Sequence, residues 1–191
     1  MLFRSKGSAS ADIDTVAEVD AMTGANLLMD WTANTVTKAV TGLSSSTTYW
    51  FAVLVKDAAG NKALYTPAGQ ATTDGTAPTV GTAISFASVA STSMTVNWGA
   101  ATDAVTAQAS LQYKLVKSST SAAIDTVAEV DAITGGNLLM DWTANTTTNA
   151  VTGLSSSTTY WFAVLVKDAA GNMALYSPNS QTTTAPDNTA P

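Results

Sequence analysis

The 191-residue sequence has no cysteine and no histidine, and only 12% of its residues are charged. Without imidazole or thiol there is no Ser-His-Asp or Cys-His nucleophilic system, no thiolate or imidazole zinc site and no disulfide framework. Basic residues are scarce too, 8 against 14 acidic ones for a net charge of −6. An acidic chain with scattered lysines lacks the basic stripe that displaces counterions from a polyphosphate, so no nucleic-acid partner is expected. No run approaches the roughly 18 apolar residues of a membrane span. Nor does the opening Met1-Leu2-Phe3-Arg4-Ser5-Lys6 carry the apolar core of a signal peptide.

What the chain has in quantity is alanine and threonine, 34 and 32 residues, within a hydrophobic share of 46%. That share with so little charge is the reverse of a disorder signature. Abundant threonine suits a pleated sheet, on which β-branched side chains pack well. The decisive feature is an internal repeat. Residues 11–67 and 122–178 align without a gap at an offset of 111, and 50 of the 57 positions are identical.

The second copy predicts about seven short strands. Alternation at Ala83-Ile84-Ser85-Phe86 and at Met94, Val96 and Trp98 marks the first two, and Leu111, Tyr113 and Leu115 mark the third. Ala150-Val151-Thr152 precedes a turn at Gly153, and the longest strand runs from Tyr160 to Lys167. Asp168-Ala169-Ala170-Gly171-Asn172 ends it in a turn, and Ala174-Leu175-Tyr176 begins the return strand. Such spacing predicts a two-sheet sandwich. One stretch differs. Ile124, Val127, Val130 and Ile133 recur every third residue, Ser121 offers an N-cap and Gly135-Gly136 a stop, which predicts a short helix over 122–134. Irregular or extended chain follows at 137–142, and residues 11–31 repeat the pattern.

Thr76-Ala77-Pro78, Met94-Thr95-Val96-Asn97-Trp98, Val151-Thr152-Gly153-Leu154 running on to Thr158-Thr159-Tyr160, and Asp168 to Asn172 together resemble a fibronectin type III domain of the bacterial extracellular kind. The resemblance implies an all-β fold of tandem sandwiches, each with a short helix-bearing insertion longer than the family usually has. It also implies that Trp98, Leu154 and Tyr160 are core residues, with Leu43 and Tyr49 as first-copy counterparts, and that the tyrosine hydroxyl bonds to nearby backbone. The organisation expected is an incomplete repeat at 1–74, a complete one at 75–185 and a linker at 186–191. The first copy has no counterpart to residues 76–108, so it lacks the first two strands. The four or five apolar side chains those strands would bury, at roughly 1.5–3 kcal/mol each, compare with a domain's whole net stability of about 5–15 kcal/mol. Residues 1–75 are therefore expected to be a cut fragment, to be held by the neighbouring repeat, or to be completed by another chain.

Only carboxylates remain as catalytic candidates. Asp125, Glu129 and Asp131, with their twins Asp14, Glu18 and Asp20, would place acids on one helix face, where they suit acid–base work or a hard cation. The favoured reading is a solvated face with acids near a helix N-terminus. Asp103 and the Asp168 to Asn172 turn are read as backbone-bonding turns, and Ser119 and Ser155-Ser156-Ser157 as turn residues without a base. No catalytic, cofactor or metal residue is assigned. Alternation sends Trp161 and its twin Trp50 to the outer face beside Trp142 and Trp31, either as a sugar-stacking platform or, the favoured reading, as packing under the insertion. The expectation is a non-enzymatic spacer of a secreted or surface-anchored protein, an adhesin-like stalk whose partners are neighbouring repeats. The alternatives are a filament or surface-layer subunit that self-associates through residues 1–75, and an ancillary module binding a glycan or cell-surface ligand.

Overall fold

A computed structural model describes residues 2–187, so Met1 and most of the expected 186–191 linker lie outside the described residues. The chain divides into two compact units, Met1–Gly75 and Thr76–Pro191.

The second unit is a sandwich. Its first sheet has the order β6-β7-β10, from Ser85–Ala87 (β6), Ser93–Asn97 (β7) and Thr148–Thr152 (β10). The second comprises Gln112–Ser118 (β8), Leu138–Ala144 (β9), Thr159–Lys167 (β11), Met173–Leu175 (β12) and Asn179–Thr182 (β13). Its order is β9-β8-β11-β12, with β13 also on β11, and its pairs are antiparallel. Between the sheets lies a core built on Met94, Val96, Trp98, Tyr113, Phe162 and Val164, all at most 4% exposed. The Phe86 and Phe162 rings stand 5.4 Å apart across it, a tilted aromatic pair of the kind favoured by ring quadrupoles.

The near-continuous apolar run of β11 has a simple cause: both faces of the strand are buried. Phe162, Val164 and Val166 point into the sandwich, while Ala163 and Leu165 are covered from outside by Val116, Ile124 and Val130. Ile124 and Val130 belong to the insertion, so the 122–134 segment closes the outer face.

That insertion is not one helix. A 3₁₀ turn at Ser121–Ala123 precedes α2 (Val127–Ala132), and a second follows at Gly135–Asn137. The break falls at Ile124 and at Thr126, whose extended φ of −123° and ψ of 153° cannot continue a helix. Thr126, not Ser121, is the helix cap. Its Oγ1 accepts from Glu129 N–H at 3.3 Å, and the Glu129 carboxylate accepts from Thr126 N–H at 3.0 Å, a reciprocal capping box. Of the irregular or extended chain expected at 137–142, the extended form is realised: Leu138–Ala144 form β9, paired with β8 through two register shifts. Bulges of this sort hide the period-two signal from the sequence.

The first unit repeats the second sheet alone. Leu2–Gly7 (β1), Leu27–Thr32 (β2), Thr48–Lys56 (β3), Lys62–Leu64 (β4) and Ala68–Ala71 (β5) form one five-stranded sheet, β2-β1-β3-β4 with β5 also on β3. The short helix α1 (Val16–Asp20) and its Thr15 cap reproduce α2. Ile13, Val19, Ala52 and Leu54 are buried on the covered side. On the other side, among the described residues, this unit has no strand equivalent to β6, β7 or β10. Residues 37–41 match β10 at all but one position, yet they form no strand, because β7, the partner that β10 pairs with over five residues, has no counterpart.

Candidate functional site

Three places carry the side chains that sequence reasoning singled out: the helix-capping acids, the outer face with its indoles, and the inner face of each long strand.

The acids are occupied by their own backbone. Bonds from Thr126, the largest of them its side chain, hold the Glu129 carboxyl below its usual range, as Thr15 does for Glu18. Asp103 accepts from Thr106 N–H at 2.7 Å and Val105 N–H at 2.9 Å, which lowers its pKa. Asp168 accepts from Asn172 N–H at 2.8 Å and Asn172 Nδ2 at 2.7 Å, closing the turn in which Gly171 takes a left-handed φ of +93°. Asp125 lies within bonding reach of the Glu129 carboxyl and helps to lower it, as Asp14 does for Glu18. Asp131 instead faces Lys114, whose Nζ donates to the Asp131 carbonyl at 2.5 Å and lies 3.9 Å from its carboxylate.

On the outer face the indoles are half-buried. Trp142 and Trp161 both pack on the cluster of Val116, Ile124 and Leu165. The Lys167 ammonium sits 4.1 Å from the Trp142 ring centre, and Lys56 sits 4.3 Å from its twin Trp31. Each such cation–π contact contributes about 0.5–1 kcal/mol. Trp50 lies flat against Gly69, where a Cβ would come within 3.1–3.2 Å of the indole. The pairing separates Trp142 from Trp161. Trp161 is level with Ser118, whereas Trp142 is level with Lys114, four residues along β8 and two strands across. That is about 13 Å along the strand and about 10 Å across it.

The inner face differs between copies. Trp98 and Leu154 are each 4% exposed, and Tyr160 packs at the edge of the same core. The first-copy counterpart of Leu154, Leu43, is only half-buried, a departure from the core position expected of it, because no second sheet covers it within the unit, whereas Tyr49 and Tyr160 are both half-buried. The contrast is sharpest at a residue the sequence reading passed over as a strand start. Tyr176 is 1% exposed and Tyr65, its twin, is 62% exposed. Both donate the same backbone bond, to Val164 O and Val53 O at 2.9 Å. Only Tyr176 has a use for its hydroxyl, which donates to Gly99 O at 2.6 Å and accepts from Gly81 N–H at 3.2 Å. A Cβ at either glycine would collide with the backbone of the segment opposite it, so this crossing needs both. Burial drives the Tyr176 pKa up to about 12. The signal for its role was present in sequence as a tyrosine with glycines at 81 and 99, but nothing local connects residues so far apart.

At the corner entering β11, the Tyr160 hydroxyl accepts from Ser155 N–H at 3.0 Å, and Tyr49 accepts from Ser44 N–H at 2.9 Å. The two-sheet sandwich of the second unit and this tyrosine corner agree with the fold that the resemblance implies. The chain has the fibronectin type III fold of the bacterial kind. No family model matches the chain. It is 32% identical over 190 residues to chitinase A1 of Niallia circulans, a match covering 96% of this chain and 24% of that protein. It is 34% identical over 193 residues to exoglucanase B of Cellulomonas fimi, covering 96% of this chain and 16% of that one. The chain thus spans a quarter or less of the length of these relatives. Solved structures similar to it include the chicken CNTN1 FN1–FN3 domains, with a TM-score of 0.42 and 19% identity over 74% of this chain and 44% of that one. Another is the sixth fibronectin type III domain of human fibronectin type III domain containing protein 3, with a TM-score of 0.42 and 14% identity over 62% of this chain and 97% of that one. Among the described residues, no helix is long and apolar enough to cross a membrane.

Proposed function

We propose that the fibronectin type III pair is a non-catalytic spacer in a secreted, multidomain polysaccharide-degrading protein. The observation that carries this reading is the alignment of 96% of the chain with small fractions, 24% and 16%, of a chitinase and an exoglucanase. The side chains agree with it. The candidate acids close caps and turns, and the indoles are packed against the insertion or clamped by lysine. A folded sandwich keeps flanking domains apart where a flexible linker of equal length would collapse to a coil. Absence of cysteine lets such a module fold whatever the redox state of its compartment. The relatives favour this enzyme-associated role over an adhesin-like stalk.

The test places the chain between a chitin-binding domain and a chitinase domain, beside the same fusion with a Gly/Ser linker of equal length. Hydrolysis of insoluble chitin should fall at least ~2-fold with the flexible linker, while hydrolysis of soluble oligosaccharides stays equal. By itself the chain should neither cleave these substrates nor be retained on chitin or cellulose. Retention that disappears on Trp142→Ala would replace the spacer with a carbohydrate-binding module.

A further inference from the structure

Both short helices end on an acid, Asp20 in α1 and Asp131 in α2, with no basic residue in the last turn. A carboxylate there faces the negative pole of the helix and its unsatisfied carbonyls, so it weakens the turn unless a cation stands beside it. Each domain supplies one lysine, and not the same one. In the second domain it is Lys114 of β8, whose side chain is 5% exposed. Its Nζ donates to the Asp131 carbonyl at 2.5 Å and lies 3.9 Å from the carboxylate. In the first domain it is Lys62 of β4, whose Nζ donates to the Asp20 carboxylate.

The two copies have exchanged the lysine between strands. Phe3 holds the place of Lys114, paired with Leu54 as Lys114 is with Leu165. Met173 holds the place of Lys62, paired with Lys167 as Lys62 is with Lys56. The lysines leave from strands on opposite flanks of the long strand, yet their ammonium groups end at one equivalent point. Lys62 lies 5.7 Å from the Trp31 ring centre and Lys114 lies 6.0 Å from that of its twin Trp142. Met173, relieved of that role, packs against the outer cluster of Ile124, Val130 and Leu165.

We propose that this point is a latch: one ammonium, supplied from either flank of the long strand, ties the helix end to the sheet and keeps the insertion shut over the outer face. The inference is independent of the spacer reading. The acid and the indole are identical in the two copies and only the lysine has moved, so the latch depends on the charge at that point and not on the strand that delivers it. Lysine suits the task, because its stem covers apolar surface while its head reaches a polar partner. It follows that position 173 can replace position 114.

The test is hydrogen exchange of the 191-residue chain read by mass spectrometry over 124–133, with residues 93–97 of β7 as the reference for the whole domain. Lys114→Met keeps an apolar stem on the covered face and removes the charge. Protection over 124–133 should fall at least ~10-fold, as for loss of a hydrogen bond to a charged group, while that of β7 stays within ~3-fold. Adding Met173→Lys should return 124–133 to within ~3-fold of the parent. Adding Met173→Gln, which is polar but uncharged, should not, nor should Met173→Lys when Asp131→Ala is also present. The proposal is overturned if Lys114→Met leaves 124–133 as protected as in the parent, or if β7 loses protection equally. It is also overturned if Met173→Lys fails to restore protection, if Met173→Gln restores it as well, or if restoration survives Asp131→Ala.

Discussion

The two copies offer a controlled experiment in burial, since one substitution can be made twice in the same local sequence. Phe162 is fully buried, pairs with Phe86 at 5.4 Å and lies 6.5 Å from the Tyr160 ring. Its twin Phe51 keeps the equivalent contact, Tyr49 at 6.5 Å, but is half-buried and has no counterpart of Phe86. Phe162→Ala removes a whole ring from a packed core and leaves a cavity, which costs about 3–5 kcal/mol. Phe51→Ala forfeits part of one ring's transfer energy with no enclosed cavity, about 1–1.5 kcal/mol. At about 1.4 kcal/mol per tenfold change, protection of β11 amides should fall by roughly 100- to 3,000-fold and that of β3 amides by about tenfold. Hydrogen exchange read by mass spectrometry separates the copies, because peptides reaching Lys38 or Asn149, or Lys62 or Met173, differ in mass. Equal losses of protection in both copies would refute the reasoning, for they would mean that the first domain has the same closed core as the second.

Alkaline titration should show Tyr176 ionising near pH 12, well after Tyr49 and Tyr160, which the bonds from Ser44 and Ser155 shift down. Because its folded pKa lies above the unfolded value near 10, its contribution to stability is complete below pH 10 and is lost as pH rises to about 12. That loss is about 2–3 kcal/mol in the second domain, read by urea unfolding at stepped pH. The carboxyls of Glu129 and Asp103 are shifted down by hydrogen bonds, so their contribution is present above pH about 4 and disappears as pH falls through the folded pKa. Circular dichroism melts should show a falling Tm over that window, and Glu129→Gln should flatten part of it. Thr126→Ala removes the helix cap and should cost about 1 kcal/mol in a urea melt, and Thr15→Ala should act likewise on the first domain.

Much of this protein was legible from sequence because its signals are local or periodic. The alternation of Met94, Val96 and Trp98, the two-faced run at 160–167 and the repeat itself follow from the pleat and from near-identity. What escaped was non-local or aperiodic. The bulges of β9 broke its alternation, and the cap at Thr126 lay inside a stretch whose three-residue period suggested one continuous helix. The packing of Trp142 and Trp161 under the insertion, the reading favoured from sequence, rests on strand register that sets the two backbone positions about 16 Å apart.

The repeat shows where sequence stops deciding. By itself the sequence determined the sheet common to both domains, the insertion that covers its outer face and the corner at each long strand, because these are made within the repeated residues. It did not determine the state of Thr37 to Thr41 or of Tyr65. Nearly the same five residues are a paired strand at 148–152 and irregular chain at 37–41, and one tyrosine is sealed while its twin is open. A strand needs a neighbour for its hydrogen bonds and a side chain needs a cover to be buried, and in the second domain residues 79–98 supply both.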